Sequence, residues 1–246
     1  MPIFVIVTIL FLFAAPVYAQ DAASCKADDR TCLLSQLEVL AGEIPEKNWQ
    51  DQMYRELAKL LTLEKKSARA IPLIARIDNP DTKAMTIRGI GMAAHDAKMT
   101  PEEYGPLFTA LRAEAEKIEH PPSYAIALTY IAMGQAFAGD DAGAMQTAKD
   151  MKNDALRNKA FGESAEIQAE RNDLDAAMAS IAAIDSPAFR NKAYGTISKI
   201  FADRKKYDEA LKSAMAIDNE YLKAQAILNM LAKQITPEQV SLIEEK

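Results

Sequence analysis

Glu163, Glu166 and Glu170 stand three and four residues apart, the spacing that brings side chains to one face of an α-helix. Carboxylates so placed could share a proton for acid and base work, or hold a cation. The plainer reading is an exposed acidic stripe, because carboxylates on a single helix rarely enclose a substrate. His95 precedes Asp96 and His120 precedes Pro121, but neither has a second His or Cys at ligand spacing, so surface or junction roles are expected. Nucleophile motifs and glycine-rich phosphate loops are missing from the sequence. We therefore expect no catalytic residue, no metal and no cofactor, and read the chain as a non-enzyme. Met85, Met92 and Met99, seven apart, are expected to fill core gaps, and Trp49 to pack with Tyr54 in the first full hairpin.

The elements that would position such residues can be bounded from composition. The chain has 246 residues, 49% of them hydrophobic but only 7% aromatic, so alanine must carry much of the core. Cores built on alanine require closely packed helices. The 29 basic and 35 acidic residues give a net charge of −6, which argues against a nucleic-acid or anionic-membrane surface.

The first residues read as an address. Ile3 to Ala15 is apolar apart from Thr8, too short to cross a bilayer, and Val17 and Ala19 are the small residues a signal peptidase needs before its cut. Residues 1–19 are thus expected to be a secretory signal peptide, with residues 20–246 as a single domain. The first basic residue is Lys26, so the usual positive start is absent and an uncleaved anchor is the alternative. After cleavage no stable membrane insertion is expected. Export to an oxidising compartment, the periplasm or the cell exterior, lets Cys25 and Cys32 form a disulfide. On one regular helix their α-carbons would lie about 10 Å apart, beyond disulfide reach, so Cys25 must fold back from the segment before the helix. Asp28, Asp29 and Thr31 supply capping residues for that turn.

The chain then repeats itself. Ala127, Ala160, Ala193 and Ala226 follow one another at a constant interval of 33, as do Ala136, Ala169 and Ala202, and again Ala144, Ala177 and Ala210. Ile118, Met151, Ile184 and Ile217 form a fourth column, which continues upstream to Ile77 and Ile44 once a single longer step, from Ile77 to Ile118, is allowed. Extra residues, enough for about two helical turns, therefore enter there and are placed around 95–105. Within each unit the apolar spacing is helical, and polar tetrads such as Asp203-Arg204-Lys205-Lys206 separate two helices. Neither helix can hide its apolar face alone, so units must stack. The expected fold is all-α, an α-solenoid of about six helical hairpins. Thr100-Pro101-Glu102-Glu103 and Thr236-Pro237-Glu238-Gln239 each read as a helix start, the second opening a capping helix over 237–245.

Tyr207-Asp208-Glu209-Ala210-Leu211, followed by Ala214 and Ile217-Asp218, resembles the second helix of a tetratricopeptide repeat, with Tyr194 and Phe201 at the positions of that motif's two aromatics. The period is 33 in place of 34, the glycine position holds Ser198, Ala165 and Ala132, and Gln168 and Gln135 replace the second aromatic in earlier units. The resemblance implies a superhelix whose concave face, lined by first helices, binds a peptide or partner protein. It would place Thr129, Met133, Lys159, Glu163, Glu166, Glu170, Lys192, Lys199, Gln225, Asn229 and Lys233 on or near that face. The family's basic and asparagine clamp for a terminal carboxylate is not reproduced.

The function expected from this reading is that of an exported protein-binding or scaffolding module. The alternative is an envelope-assembly factor or accessory subunit that positions another protein's active site. If small alanines set the helix spacing, Ala177→Leu or Ala210→Leu should overpack the contact and cost about 1–3 kcal/mol in chemical denaturation.

Overall fold

The computed structural model describes residues 25–235 and is all-helical over that range, with twelve α-helices and no strand among the described residues. They are α1 (Arg30–Glu43), α2 (Lys47–Leu63), α3 (Ser67–Arg76), α4 (Pro80–Asp96), α5 (Pro101–Ala115) and α6 (Pro121–Ala138). Then follow α7 (Asp141–Lys149), α8 (Asp154–Glu170), α9 (Leu174–Ala182), α10 (Pro187–Asp203), α11 (Tyr207–Met215) and α12 (Glu220–Gln234). From α2 onward a long helix alternates with a shorter one. The leader expected over 1–19 and the capping helix expected over 237–245 lie outside the described residues. No helix among the described residues is long and apolar enough to cross a membrane.

Local chemistry explains the boundaries. Pro80, Pro121 and Pro187 each open a long helix, where a missing N–H costs nothing. Asn79, Asn153 and Asn219 cap α4, α8 and α12 by accepting from a backbone N–H three residues on. Thr100 and Pro101 open α5 as expected, and the Glu103 carboxylate accepts from the Thr100 N–H at 2.8 Å. Each turn from a long helix to a short one contains one residue with positive φ: Lys65, Lys98, Gly139, Asn172 and Lys205. In all five the next residue's N–H reaches back five positions, as Lys206 does to the Phe201 carbonyl at 2.9 Å. This is the Schellman closure, which satisfies helix-end carbonyls. Three of the five positions hold lysine in place of glycine, so the surrounding structure imposes the turn on them.

Contacts between helices follow chain order. Every pair with substantial contact is one or two places apart, and the long helices form an unbroken series from α2 through α4, α6, α8 and α10 to α12. The short helices touch their neighbouring long helices, but only α3 and α5 pack substantially on each other. The alanine columns lie inside: Ala127, Ala160, Ala136, Ala169, Ala144, Ala177 and Ala210 are all buried, as are Ile77, Ile118, Met151, Ile184 and Ile217. Backbones approach closely between α4 and α6, where a Cβ built on Gly134 would lie 3.1 Å from the Gly91 Cα and 3.1 Å from the Phe108 ring.

Side chains also tie units together through the backbone. Asp51 is buried and accepts from the Asp78 and Asn79 N–H groups at 3.0 and 2.9 Å. Asn158 and Asn191, at the same place in later units, accept from the Asp185 and Asp218 N–H groups at 3.2 and 2.9 Å. Arg157 and Arg190 repeat likewise, donating to the Met151 and Ile184 carbonyls and reaching Asp185 and Asp218. The glutamines that replace an aromatic are buried and used: Gln135 accepts from the Thr147 hydroxyl at 2.7 Å and Gln168 from Ser180 at 2.8 Å. Arg171 and Arg204, one repeat apart, reach back to the Ala136 and Glu170 carbonyls.

Cys25 and Cys32 are disulfide-bonded with α-carbons 5.7 Å apart, and Cys25 folds back ahead of α1. Asp29 caps that helix, accepting from the Cys32 N–H at 3.0 Å.

The extra residues placed around 95–105 mostly lengthen a short helix, α5 having fifteen residues where α7, α9 and α11 have nine. Two details differ from expectation. Trp49 does not pack beside Tyr54. It is 66% exposed, since five residues turn a helix by about 140° and the buried Tyr54 faces the core. Of the methionine stripe only Met99 is buried; Met85 is half-buried and Met92 exposed.

The close crossing gives a contrast. Gly134→Ala should destabilise by up to about 2 kcal/mol, because the crowding outweighs the gain in helix propensity, whereas Gly105→Ala, with open space around it, should gain about 0.5–1 kcal/mol. Urea unfolding of both variants measures the difference.

Candidate binding groove

The long helices bury one side against their short partners and leave another open. Along this open side, shallow clefts lie between α6 and α8, between α8 and α10, and between α10 and α12. The clefts adjoin. Leu156 lines the first two, and Lys192 and Thr196 line the second and third.

The second and third are the same site built twice. Asn158, Lys159 and Gly162 in the second become Asn191, Lys192 and Gly195 in the third, each exactly one repeat further along the chain. Phe189 likewise becomes Leu222. Neither Gly162 nor Gly195 has an atom within 4 Å of where a Cβ would stand, so both open onto space. The repeat thus sets the shape of each cleft, and the residues that vary set its charge.

Most of the residues expected on the binding face come together here. Lys159, Glu163, Glu166 and Lys192 line the second cleft, and Lys192, Lys199, Gln225 and Asn229 the third. Lys199 and Lys233 both pair with Asp203, at 2.6 and 2.7 Å, and hold its carboxyl below the usual carboxylate range. Glu170 is exposed beyond the second cleft and lines none of the three. Of two further expected residues, one is buried and the other half-buried. Thr129 is only 3% exposed, its hydroxyl bonded to the Ala125 carbonyl at 3.1 Å, and Met133 packs against the buried cluster of Ala136, Ala144 and Ile167.

The acidic stripe is therefore one wall of a cleft. Burial raises the Glu166 pKa, and the Glu163 and Glu170 charges raise it further, against a smaller opposing effect from Lys192. The local field is thus acidic even though lysines stand nearby.

Charge and family position point to those residues, but they miss the first cleft with Tyr124, Ile126, Met151 and Leu156, and they miss Asn158 and Gly162. The signal for the latter pair is in the sequence: Asn158 and Gly162 recur as Asn191 and Gly195 at the repeat distance.

The histidines take structural positions. His95 is exposed, near Asp96 and tilted against the Phe137 ring. His120 precedes α6, with Nδ1 2.6 Å from the Ser123 hydroxyl, which donates to Asp81 at 2.5 Å. Those residue types suggest a nucleophile relay, but here the serine sits in the middle, fully buried, and its proton goes to the carboxylate. The triplet joins the start of α6 to the start of α4. Among the described residues no three His, Cys, Asp or Glu side chains converge as metal ligands.

Comparison with protein-family models, with curated proteins and with solved structures finds no match to this chain.

The raised Glu166 pKa has a definite sign. The folded state binds this proton more readily than the unfolded chain, so the ionised carboxylate is a liability above its raised titration range, and folding gains stability as pH falls through it. Glu166→Gln should therefore melt higher than the parent at pH 7, with the difference closing by about pH 4. Thermal melts at both pH values test this.

Proposed function

We propose that this chain is an exported helical-repeat binding module, an α-solenoid of tetratricopeptide-like design, which holds an extended segment of a partner protein across its long helices. The observation that carries the reading is the tandem equivalence of the second and third clefts. A groove that repeats its lining with the repeat of the fold suits a ligand that is itself linear.

The contact pattern supports the superhelical part of the reading. Long helices pack in an unbroken series while most short helices stand clear of each other. A stack so built curves with its long helices inside, which puts the clefts on the concave face. Export is supported by the Cys25–Cys32 disulfide, a bond that persists in oxidising compartments, together with the leader-like sequence of residues 1–19. The mechanism is surface complementarity, and the chain supplies the site by stacking.

Because a side chain at 162 or 195 would enter open space, Gly162→Phe and Gly195→Phe should fill the clefts with little effect on folding. A photo-crosslinking residue at Thr196, between the two clefts, should capture a partner in intact cells, and the same group at the exposed Asp175 of α9 should not. Adding Gly162→Phe should reduce the Thr196 capture about tenfold or more, as expected when a central cleft is blocked. Equal capture from both positions, or capture indifferent to the plug, would refute the groove.

A further inference from the structure

The three adjoining clefts share a frame but differ in chemistry. The first, of about 500 Å³, is walled mainly by apolar side chains, among them Tyr124, Ile126, Met151 and Leu156. The second, of about 340 Å³, carries Glu163 and Glu166 together with Lys159 and Lys192. Neither carboxylate forms a hydrogen bond or ion pair with any described residue. Each therefore has all its acceptor capacity free. The third has two lysines, Lys192 and Lys199, and no acidic residue.

A second observation points to the backbone of a ligand. Asn158 and Asn191 line the second and third clefts and are more than nine-tenths buried. In each, Oδ1 is taken by a backbone N–H of the next unit, while Nδ2 has no hydrogen-bond partner among the described residues. Neither Nδ2 is sealed away from the surface. A buried carboxamide with its acceptor used and its donor free suits a carbonyl oxygen, and the repeat presents one such donor per helix step.

Geometry selects the form of the chain. Packed helices lie about 8–10 Å apart, so equivalent points in neighbouring clefts are separated by about one such step. A polyproline II strand rises about 3.1 Å per residue with three residues per turn, which returns side chains i and i+3 to the same side about 9 Å apart. A pleated strand returns to the same side after two residues, about 7 Å, or four, about 13 Å, and matches neither. Polyproline II also leaves its carbonyls unbonded, free to meet the asparagine donors.

Resting on the reading of this face as the binding groove, we infer that its ligand is a polyproline II peptide segment with an apolar and a basic side chain three positions apart. The apolar one fills the cleft between α6 and α8, and the basic one meets Glu163 and Glu166 between α8 and α10. The third cleft sets the register, since Thr196 and Lys199 stand there one repeat on from Glu163 and Glu166 and a second basic side chain one turn further would meet Lys199 with no carboxylate.

The test uses the full-length protein and acetylated, amidated proline-rich dodecapeptides followed by fluorescence anisotropy. One peptide carries Leu and Arg three apart, a second carries them two apart, and a third has Glu in place of Arg. The first should bind about tenfold more tightly than either of the others, the increment of one charge-assisted pair. Glu163→Gln with Glu166→Gln should remove the preference for Arg over Glu. Lys192→Glu, which adds an acid, should enlarge it if the double variant proves unstable. Equal affinity for the three peptides, with binding still blocked by Gly162→Phe, overturns the spacing and charge rule but leaves the groove standing. Binding indifferent to Gly162→Phe overturns the groove and this inference together, and no binding of the Leu and Arg peptide overturns the inference.

Discussion

Each long helix must bury an apolar side that its short partner cannot cover, and it does so only against the long helices before and after it. The rest of the molecule depends on this. The contact requires small residues where backbones approach, hence the buried columns containing Ala127, Ala160, Ala136 and Ala169, and the glycine pair Gly91 and Gly134 where α4 crosses α6. Because the same side of each helix is spent on stacking, the same opposite side is left open, and the second and third clefts recur at the repeat distance.

Polar groups hold the stack in register. Five helix ends close on the same left-handed turn, and only Gly139 and Asn172 among the five are residues that favour it. Buried Gln135 and Gln168 each accept a hydroxyl hydrogen bond from the following short helix, so positions that would hold an aromatic in the resembled motif are filled by a bonded pair. Such pairs cannot slide. An apolar contact tolerates a shift of part of a turn, whereas a buried carboxamide that loses its partner costs on the order of 1–3 kcal/mol.

Much of the helical organisation is legible in the sequence because it rests on periodicity and on capping chemistry, both local. The recurring alanine and isoleucine columns, the prolines that open α4, α6 and α10, and the capping residues at Thr100 and Asp29 lie where the sequence places them. What periodicity cannot carry is rotation. The family position puts Thr129 and Met133 outward, but Thr129 is buried and Met133 is half-buried against Ala136, Ala144 and Ile167. Trp49 goes the other way, since an aromatic suggests a core and only its angle from Tyr54 shows otherwise. The extra residues after α4 extend a helix because Pro101 and Glu103 start one there and nothing stops it at the usual length. Of the groove, the charged residues are legible as a stripe; the apolar cleft beside them exists only once α6 and α8 are side by side.

The backbone ties made by Asp51, Asn158 and Asn191 point one way along the chain, each side chain holding an amide that lies 27 residues later. A polypeptide is synthesised from its amino end, so Asn158 emerges well before the Asp185 amide that it must grip. The units that hold these three side chains are consequently provisional until their successors have been made. Ordering in such a chain trails the growing end by about one hairpin, like a zip whose slider follows the hand.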